Sequence, residues 1–186
     1  LRALPLETAS GFSGALWRAI APSLSRHRRA LSHLAQSLPE TTPAEREAIA
    51  RDMWETLGRT FAEAFHLDRI LAEDRIVYEP EATFDAIRAH AREGRVVASL
   101  HMGNWELTAA GGLHAGLAVA GVYQAIKNPY VDAYVTRLRA QLYPGGLYAK
   151  APETATALMR IARRGGSVAL LADLRDKTGV PAMFFG

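Results

Sequence analysis

The sequence contains no cysteine among its 186 residues. This absence excludes a disulfide framework, a thiol nucleophile and any zinc or iron–sulfur site with cysteine ligands. Long apolar runs are also absent, since stretches such as Leu117–Tyr123 and Val168–Ala172 are far shorter than the ~20 residues of a membrane-spanning helix. The excess of positive charge is small, with 22 Lys and Arg against 19 Asp and Glu, so charge alone identifies no partner.

The composition is that of a folded globular protein. Hydrophobic residues make up 49% and charged residues 22%, and they are spread along the whole chain, which favours a single domain over residues 1–186. The first residue is leucine, and no signal peptide is recognisable behind it. We therefore expect a partial domain, truncated at both ends, with a helical N-terminal section to about residue 93 and an α/β section from about residue 94.

The helical section contains one basic cluster and one strong helix start. Residues 1–38 show apolar positions at helical spacing, interrupted by Arg26, His27, Arg28 and Arg29. That cluster is either a solvated helix face or a contact with anionic lipid headgroups or phosphates. Thr42, Pro43 and Glu45 form a capping-box pattern, which predicts a helix over 43–66. In that helix Ile49, Met53, Leu57, Phe61 and Phe65 recur every fourth residue, and this ridge predicts core packing.

Beyond residue 80 the pattern alternates between helices and strands. A helix over about 81–92 precedes the apolar run Val96–Leu100, which predicts a buried strand. A second strand follows within 117–126, a helix begins at Asn128 and Pro129, and a helix over 153–164 precedes a strand at Ser167–Ala172. Alternating elements of this kind predict an α/β sheet flanked by helices, with ligands beyond the carboxyl ends of the strands. His101 and Asp173 each follow such a strand end.

His101 and Glu106 have placement that suits acid–base chemistry, although their spacing alone has no weight. A histidine in a turn after a strand can expose one ring nitrogen while a carboxylate at the next helix start holds the other. The free nitrogen can then take a proton from an attacking hydroxyl. From these residues alone, His101 is either a general base oriented by Glu106 or a structural histidine.

Four strings, taken in order, carry a resemblance to a known family. They are MWETLGRTFAEAF from residue 53, SLHMGNWELTAAGG from 99, GVYQAIKNPYVDAYVTRLR from 121, and GGSVALLADLRDKTGVPAMFFG from 165. Together they resemble the bacterial lipid A biosynthesis acyltransferases, whose histidine-x4-acid motif reads here from His101 to Glu106. The resemblance covers nearly the whole chain and implies a glycerol-3-phosphate-acyltransferase-like sheet.

The resemblance implies transfer of a fatty acyl chain from acyl carrier protein to a hydroxyl of a lipid A precursor. It implies His101 as general base and Glu106 as its orienting carboxylate. No covalent intermediate is needed, in agreement with the lack of cysteine and of a G-x-S-x-G motif. Acyl carrier protein, the glycolipid and the cytoplasmic face of the bacterial inner membrane are the implied partners and location, with the membrane anchor outside this chain. No metal or cofactor is predicted.

Further positions are candidates for substrate binding. Arg139 and Asp173 match family positions, and an arginine fork suits a phosphate on the glycolipid or on the carrier's pantetheine arm. Asn104 either caps the following helix or positions a substrate group. Weaker candidates for an anion-binding rim are Lys127, Arg137, Arg175 and Lys177.

The chain departs from the family pattern at Gln124, where arginine is common, and at Leu174, where glutamine is frequent. The first change leaves open another glycolipid acceptor, such as a phosphatidylinositol mannoside. A non-catalytic lipid-binding or carrier-binding homologue is a further alternative, although the chain retains both His101 and Glu106. A nucleic-acid partner rests only on the pI of about 9.4, and no zinc-finger spacing, RNP-like string or P-loop supports it.

Overall fold

The N-terminal section is a set of packed helices. A computed structural model describes residues 2–174 and 183. Helices α1 (Leu6–Ile20), α2 (Ser25–Ser37) and α3 (Pro43–Glu63) are followed by the short α4 (Leu67–Ala72). The predicted capping box is confirmed, since the Glu45 amide donates to Thr42 Oγ1 at 3.3 Å and the Thr42 amide donates to Glu45 Oε2 at 2.7 Å.

Helices α1 and α3 pack closely because small residues lie between them. A Cβ atom on Gly58 would come within 2.7 Å of the Ser13 carbonyl oxygen, so only glycine allows this approach. The Trp17 and Trp54 rings stack alongside, with centroids 5.9 Å apart. The buried line on α3 therefore consists of Ala50, Trp54, Gly58 and Ala62.

The prediction that the Ile49–Phe65 ridge forms core is wrong for most of its length. Ile49, Met53 and Phe61 are exposed, and they lie one position away from the buried line. The basic cluster also divides. His27 is buried, where its Nδ1 accepts from Trp54 Nε1 at 3.1 Å and its Nε2 lies 2.9 Å from Glu47, whereas the three arginines beside it are exposed.

The C-terminal section is built on a four-stranded sheet. Strands β1 (Arg95–Ser99), β2 (Val119–Tyr123), β3 (Leu147–Ala149) and β4 (Ser167–Leu171) pair in the order β1-β4-β2-β3, and all pairs are parallel. The connecting helices are α6 (Thr108–His114), α7 (Pro129–Ala140) and α8 (Pro152–Arg163), and α5 (Glu81–Ala89) precedes β1. The predicted α/β fold with a helical N-terminal section is confirmed, while β3 and α4 were not predicted. The single-domain assignment and its division near residue 93 stay predictions.

The two faces of the sheet are covered differently. One face carries Val119 and Ala169, which pack with Leu117, Phe84 and Ile87. The opposite face lies beneath α8. The prediction that Val96–Leu100 is buried is wrong, since Val96 and Leu100 are exposed. The physical reason is that β1 is an edge strand that pairs only with β4 within the described sheet.

Candidate active site

The strand register brings His101 and Asp173 together. Ser99 pairs with Leu171 where β1 and β4 run parallel, so the residues two positions further along each strand lie side by side. The Ala172 amide extends the ladder by donating to the Ser99 carbonyl at 2.8 Å. Two residues 72 positions apart in the chain therefore meet at the carboxyl edge of the sheet, where ligands of α/β folds bind.

Asp173 makes two hydrogen bonds to His101. The His101 ring Nδ1 lies 2.7 Å from Asp173 Oδ1, and the His101 backbone amide donates to Oδ2 at 2.8 Å. The ring contact, followed by the backbone contact, lowers the pKa of Asp173. An ionised carboxylate can only accept a hydrogen bond, so Nδ1 of His101 carries the proton in this contact. In the neutral tautomer with Nδ1 protonated, Nε2 is the nitrogen that can accept a proton. Nε2 has no hydrogen-bond partner among residues 2–174, and 29% of the side chain is exposed.

Glu106 is paired with Arg139. Arg139 Nε donates to Glu106 Oε2 at 2.7 Å, and Nη2 donates to Oε1. The pair is largely shielded from solvent, with side-chain exposures of 8% for Glu106 and 21% for Arg139. Burial is the main cause that raises the pKa of the Tyr143 hydroxyl, and the nearby negative charge of Glu106 raises it further. A bidentate arrangement of this kind fixes the guanidinium in one orientation.

Within the described residues, Glu106 makes no hydrogen bond to His101, although the sequence predicted that contact. The carboxylate on the His101 ring belongs to Asp173, because β4 lies next to β1 in the sheet. The Glu106 carboxylate has both oxygens occupied by Arg139 of α7. The structure thus brings His101 together with Asp173 and Glu106 together with Arg139.

Asn104 is held by helix α3. Its Nδ2 donates to Glu63 Oε2 at 2.8 Å, and its side chain makes no capping bond to the 3-10 turn at Trp105–Leu107. The alternative that Asn104 caps the following helix is therefore wrong. Thr60 Oγ1 donates to the Gly103 carbonyl at 3.3 Å. Sequence reasoning missed both Thr60 and Glu63, although the string MWETLGRTFAEAF contains them.

The predicted anion-binding rim is only partly described. Lys127 is exposed between β2 and α7, and Arg137 is exposed on α7 with its guanidinium 5.5 Å from the Tyr134 ring centre. Gln124 is exposed directly after β2, and Leu174 is exposed after Asp173. Arg175 and Lys177 lie outside the described residues. The substrate-binding roles of these residues, like the absence of a metal or cofactor, stay predictions.

An apolar groove runs beneath α8. It encloses about 450 Å³ between the helix and the sheet face formed by Val96, Val168 and Leu170. The helix side is formed by Thr154, Ala155, Leu158, Met159 and Ala162. The groove extends toward the carboxyl edge of the sheet, because its lining includes Val122 near the end of β2 and Ala151 just after β3. Its lining suits a hydrocarbon chain.

Comparison with known proteins agrees with the resemblance noted in the sequence. A family model described as bacterial lipid A biosynthesis acyltransferase matches residues 1–186. A comparison with curated proteins finds no match.

Proposed function

Because the chain belongs to the bacterial lipid A biosynthesis acyltransferase family, we propose that it moves a fatty acyl chain from acyl carrier protein to a hydroxyl of a lipid A precursor, with His101 as general base. Acyltransfer in lipid A biosynthesis follows from the family. The observation that carries the mechanism is the His101–Asp173 pair at the carboxyl edge of the sheet.

The proton path follows from this pair. His101 Nε2 takes the proton of the acceptor hydroxyl as that oxygen attacks the thioester carbonyl carbon, and the new C–O bond forms. Asp173 stabilises the resulting imidazolium through Nδ1–H. When the C–S bond breaks, the leaving thiolate receives that proton from Nε2, so His101 returns to its neutral form.

Glu106 and Arg139 have a different task in this proposal. Glu106 occupies Nε and Nη2 of Arg139 and so fixes its guanidinium. Nη1 of Arg139 has no hydrogen-bond partner in the described part of the chain. We assign it to a phosphate group of the glycolipid or of the carrier's pantetheine arm, because a fixed guanidinium is suited to phosphate oxygens.

The role of Asp173 is tested by Asp173→Asn, which keeps the side-chain shape and removes its charge. We expect kcat to fall about 100-fold or more, because the imidazolium loses its partner. Glu93→Gln is the matched control, since Glu93 holds the exposed His90 ring at 2.8 Å in a similar pair. Wild-type kcat in Asp173→Asn contradicts this mechanism.

A membrane surface is the third part of the proposal. Phe12, Leu16 and Ile20 of α1 are exposed at a spacing of four residues, and 61% of Phe12 faces solvent. Arg18 of α1 instead bonds to Asp52 and Glu55 of α3, so the helix pair has a charged side and an apolar side.

The neighbouring charge favours an anionic bilayer over an uncharged apolar partner. Arg26, Arg28 and Arg29 lie in the first turns of α2, which follows α1 after a short 3-10 turn, and they are exposed. None forms an ion pair within residues 2–174. An apolar helix face beside unpaired arginines is typical of a protein surface that contacts anionic lipid. Among the helices that the structure describes, none combines the length and the hydrophobicity that a membrane-spanning segment requires.

Vesicle binding tests this surface. The full-length protein with these three arginines changed to glutamate should bind phosphatidylglycerol-containing vesicles more weakly, by more than about 1 kcal/mol per position because each change also adds a repelled negative charge. Binding to pure phosphatidylcholine vesicles should stay as before. The control changes Arg160 and Arg163 of α8 and Arg164 at its C-cap, which are also exposed and outside any ion pair of the described chain. Equal loss in both triple variants contradicts the assignment.

A further inference from the structure

Glu63 connects the N-terminal helices to the loop that carries the reactive residues. It is the last residue of α3 and is half-buried. Its Oε1 accepts from Ser10 Oγ of α1 at 2.7 Å, and its Oε2 accepts from Asn104 Nδ2 at 2.8 Å. One carboxylate thus binds both α1 and the residue halfway between His101 and Glu106.

The loop between His101 and Glu106 depends on hydrogen bonds from other elements to hold its conformation. Gly103 adopts a positive φ of 56°, and the side chain of Asn104 supplies no cap to the 3-10 turn that carries Glu106. Two hydrogen bonds join the loop to α3 in the described part of the chain, the Glu63 bond to Asn104 and the Thr60 bond to Gly103. Thr60 and Glu63 are three residues apart and therefore lie on one face of the helix.

We infer that Glu63 is a positioning residue, which acts through Asn104 to fix the loop between His101 and Glu106. The expected changes in kcat rest on the proposed function, whereas the expected changes in amide hydrogen exchange do not. Asn104 Oδ1 is buried without a hydrogen-bond partner in the described residues, so the bond from Nδ2 to Glu63 is what sets the orientation of this amide. A loop displaced by about 1 Å can cost an enzyme about 100-fold in rate.

The hydrogen-bond chemistry predicts a distinct order among variants. Glu63→Ala removes both bonds, and we expect kcat to fall about 10- to 100-fold with little change in KM. Glu63→Gln retains most of kcat, because its amide oxygen accepts from Asn104 while its NH2 group donates to the Ser10 hydroxyl, which can rotate. Ser13→Ala is the matched control. It removes a buried 2.7 Å bond between α1 and α3, to the Gly58 carbonyl, that does not reach the loop.

Exchanging the hydrogen-bond donor and acceptor between Asn104 and Glu63 gives the most specific test. Asn104→Asp sets two carboxylates against each other and should lower kcat more than Glu63→Ala does. Adding Glu63→Gln restores one donor and one acceptor, so the double variant should recover at least about tenfold of that loss. A merely structural role for Glu63 predicts no such recovery, so a double variant no better than Asn104→Asp overturns the inference.

Amide hydrogen exchange separates this inference from the proposed function. In Glu63→Ala, amides of residues 101–107 should exchange faster while those of β2 and β4 stay protected, and Ser13→Ala should leave the loop unchanged. Unchanged loop exchange in Glu63→Ala overturns the inference whatever the activity. If the wild-type protein transfers no acyl group yet Glu63→Ala loosens the loop, the proposed function fails and the positioning role is supported.

Discussion

The buried ion pair between Glu106 and Arg139 gives the most quantitative prediction. Both oxygens of Glu106 accept from Arg139, and the two side chains are 8% and 21% exposed. Glu106→Ala leaves the guanidinium of Arg139 without its partner in a largely buried position. Removing one member of such a pair costs about 3–5 kcal/mol of unfolding free energy. The partial exposure of Arg139 places the expected cost at the lower end, about 3 kcal/mol.

That loss of unfolding free energy corresponds to a measurable fall in the melting temperature, Tm. An unfolding entropy of about 2.1 cal/mol/K per residue gives about 0.4 kcal/mol/K for a chain of this length, so Glu106→Ala should lower Tm by about 8 °C. The double variant Glu106→Ala with Arg139→Met should recover at least half of this loss, because no buried charge remains unpaired. We expect the double variant to be inactive, since it lacks the guanidinium that we propose to bind phosphate.

Differential scanning calorimetry of the purified variants provides the measurement. Asp52→Ala, which breaks the exposed pair with Arg18, should leave Tm within about 2 °C. His101→Ala should also melt close to wild type while losing activity. A wild-type Tm in Glu106→Ala, or a fall in Tm of the double variant equal to the sum of the two single losses, contradicts a stabilising buried ion pair.

Three further predictions concern other parts of the molecule. The ring and backbone bonds from His101 lower the pKa of Asp173, so its 13C-detected titration should have a midpoint below the ordinary value of about 3.9 and move up in His101→Ala. The stability from this bond is complete above the unfolded-state pKa and is lost as pH falls through the lower folded-state pKa; an unmoved midpoint contradicts the pairing. Gly94→Ala should lower the unfolding free energy by about 1–3 kcal/mol in denaturant titration, because its Cβ would collide with the Ala162 carbonyl oxygen; wild-type stability contradicts that contact. Ala162→Phe should shorten the preferred acyl chain in a donor-length series by filling the groove beneath α8, whereas Thr156→Phe, outside the groove lining, should not; equal chain preference in both variants rules out the groove as the acyl site.

Local sequence signals predicted the elements but not their neighbours. Thr42 and Glu45 identified the start of α3, and Asn128 caps α7 by accepting from the Tyr130 and Val131 amides. Such caps involve residues within one turn, so a single segment of sequence contains the whole signal. The sequence did not predict β3, because the three residues Leu147–Ala149 are too few to show a periodic pattern of apolar residues.

Long-range pairing explains the rest of the differences. The sequence placed His101 and Asp173 at strand ends, but only the order of the strands shows that β4 lies beside β1. Likewise, the period of four in α3 fits two adjacent lines of residues, and α1 covers the line that contains Gly58, because a residue without a Cβ atom allows the close approach. Glu63 could not be recognised without knowing that α3 lies against the loop after β1.

His101 is the proposed base of the acyl transfer. The most direct test measures transfer of a labelled acyl group from acyl carrier protein to a tetra-acylated lipid A precursor by the full-length protein. His90→Ala serves as control, because His90 is an exposed histidine with a carboxylate partner, and its carbonyl accepts from Arg95 at the amino end of β1, opposite the end that His101 follows. We expect transfer by the wild type and by His90→Ala, and a loss of about 100-fold or more in His101→Ala. Wild-type transfer by His101→Ala, or no transfer by the folded wild-type protein, would contradict this proposal.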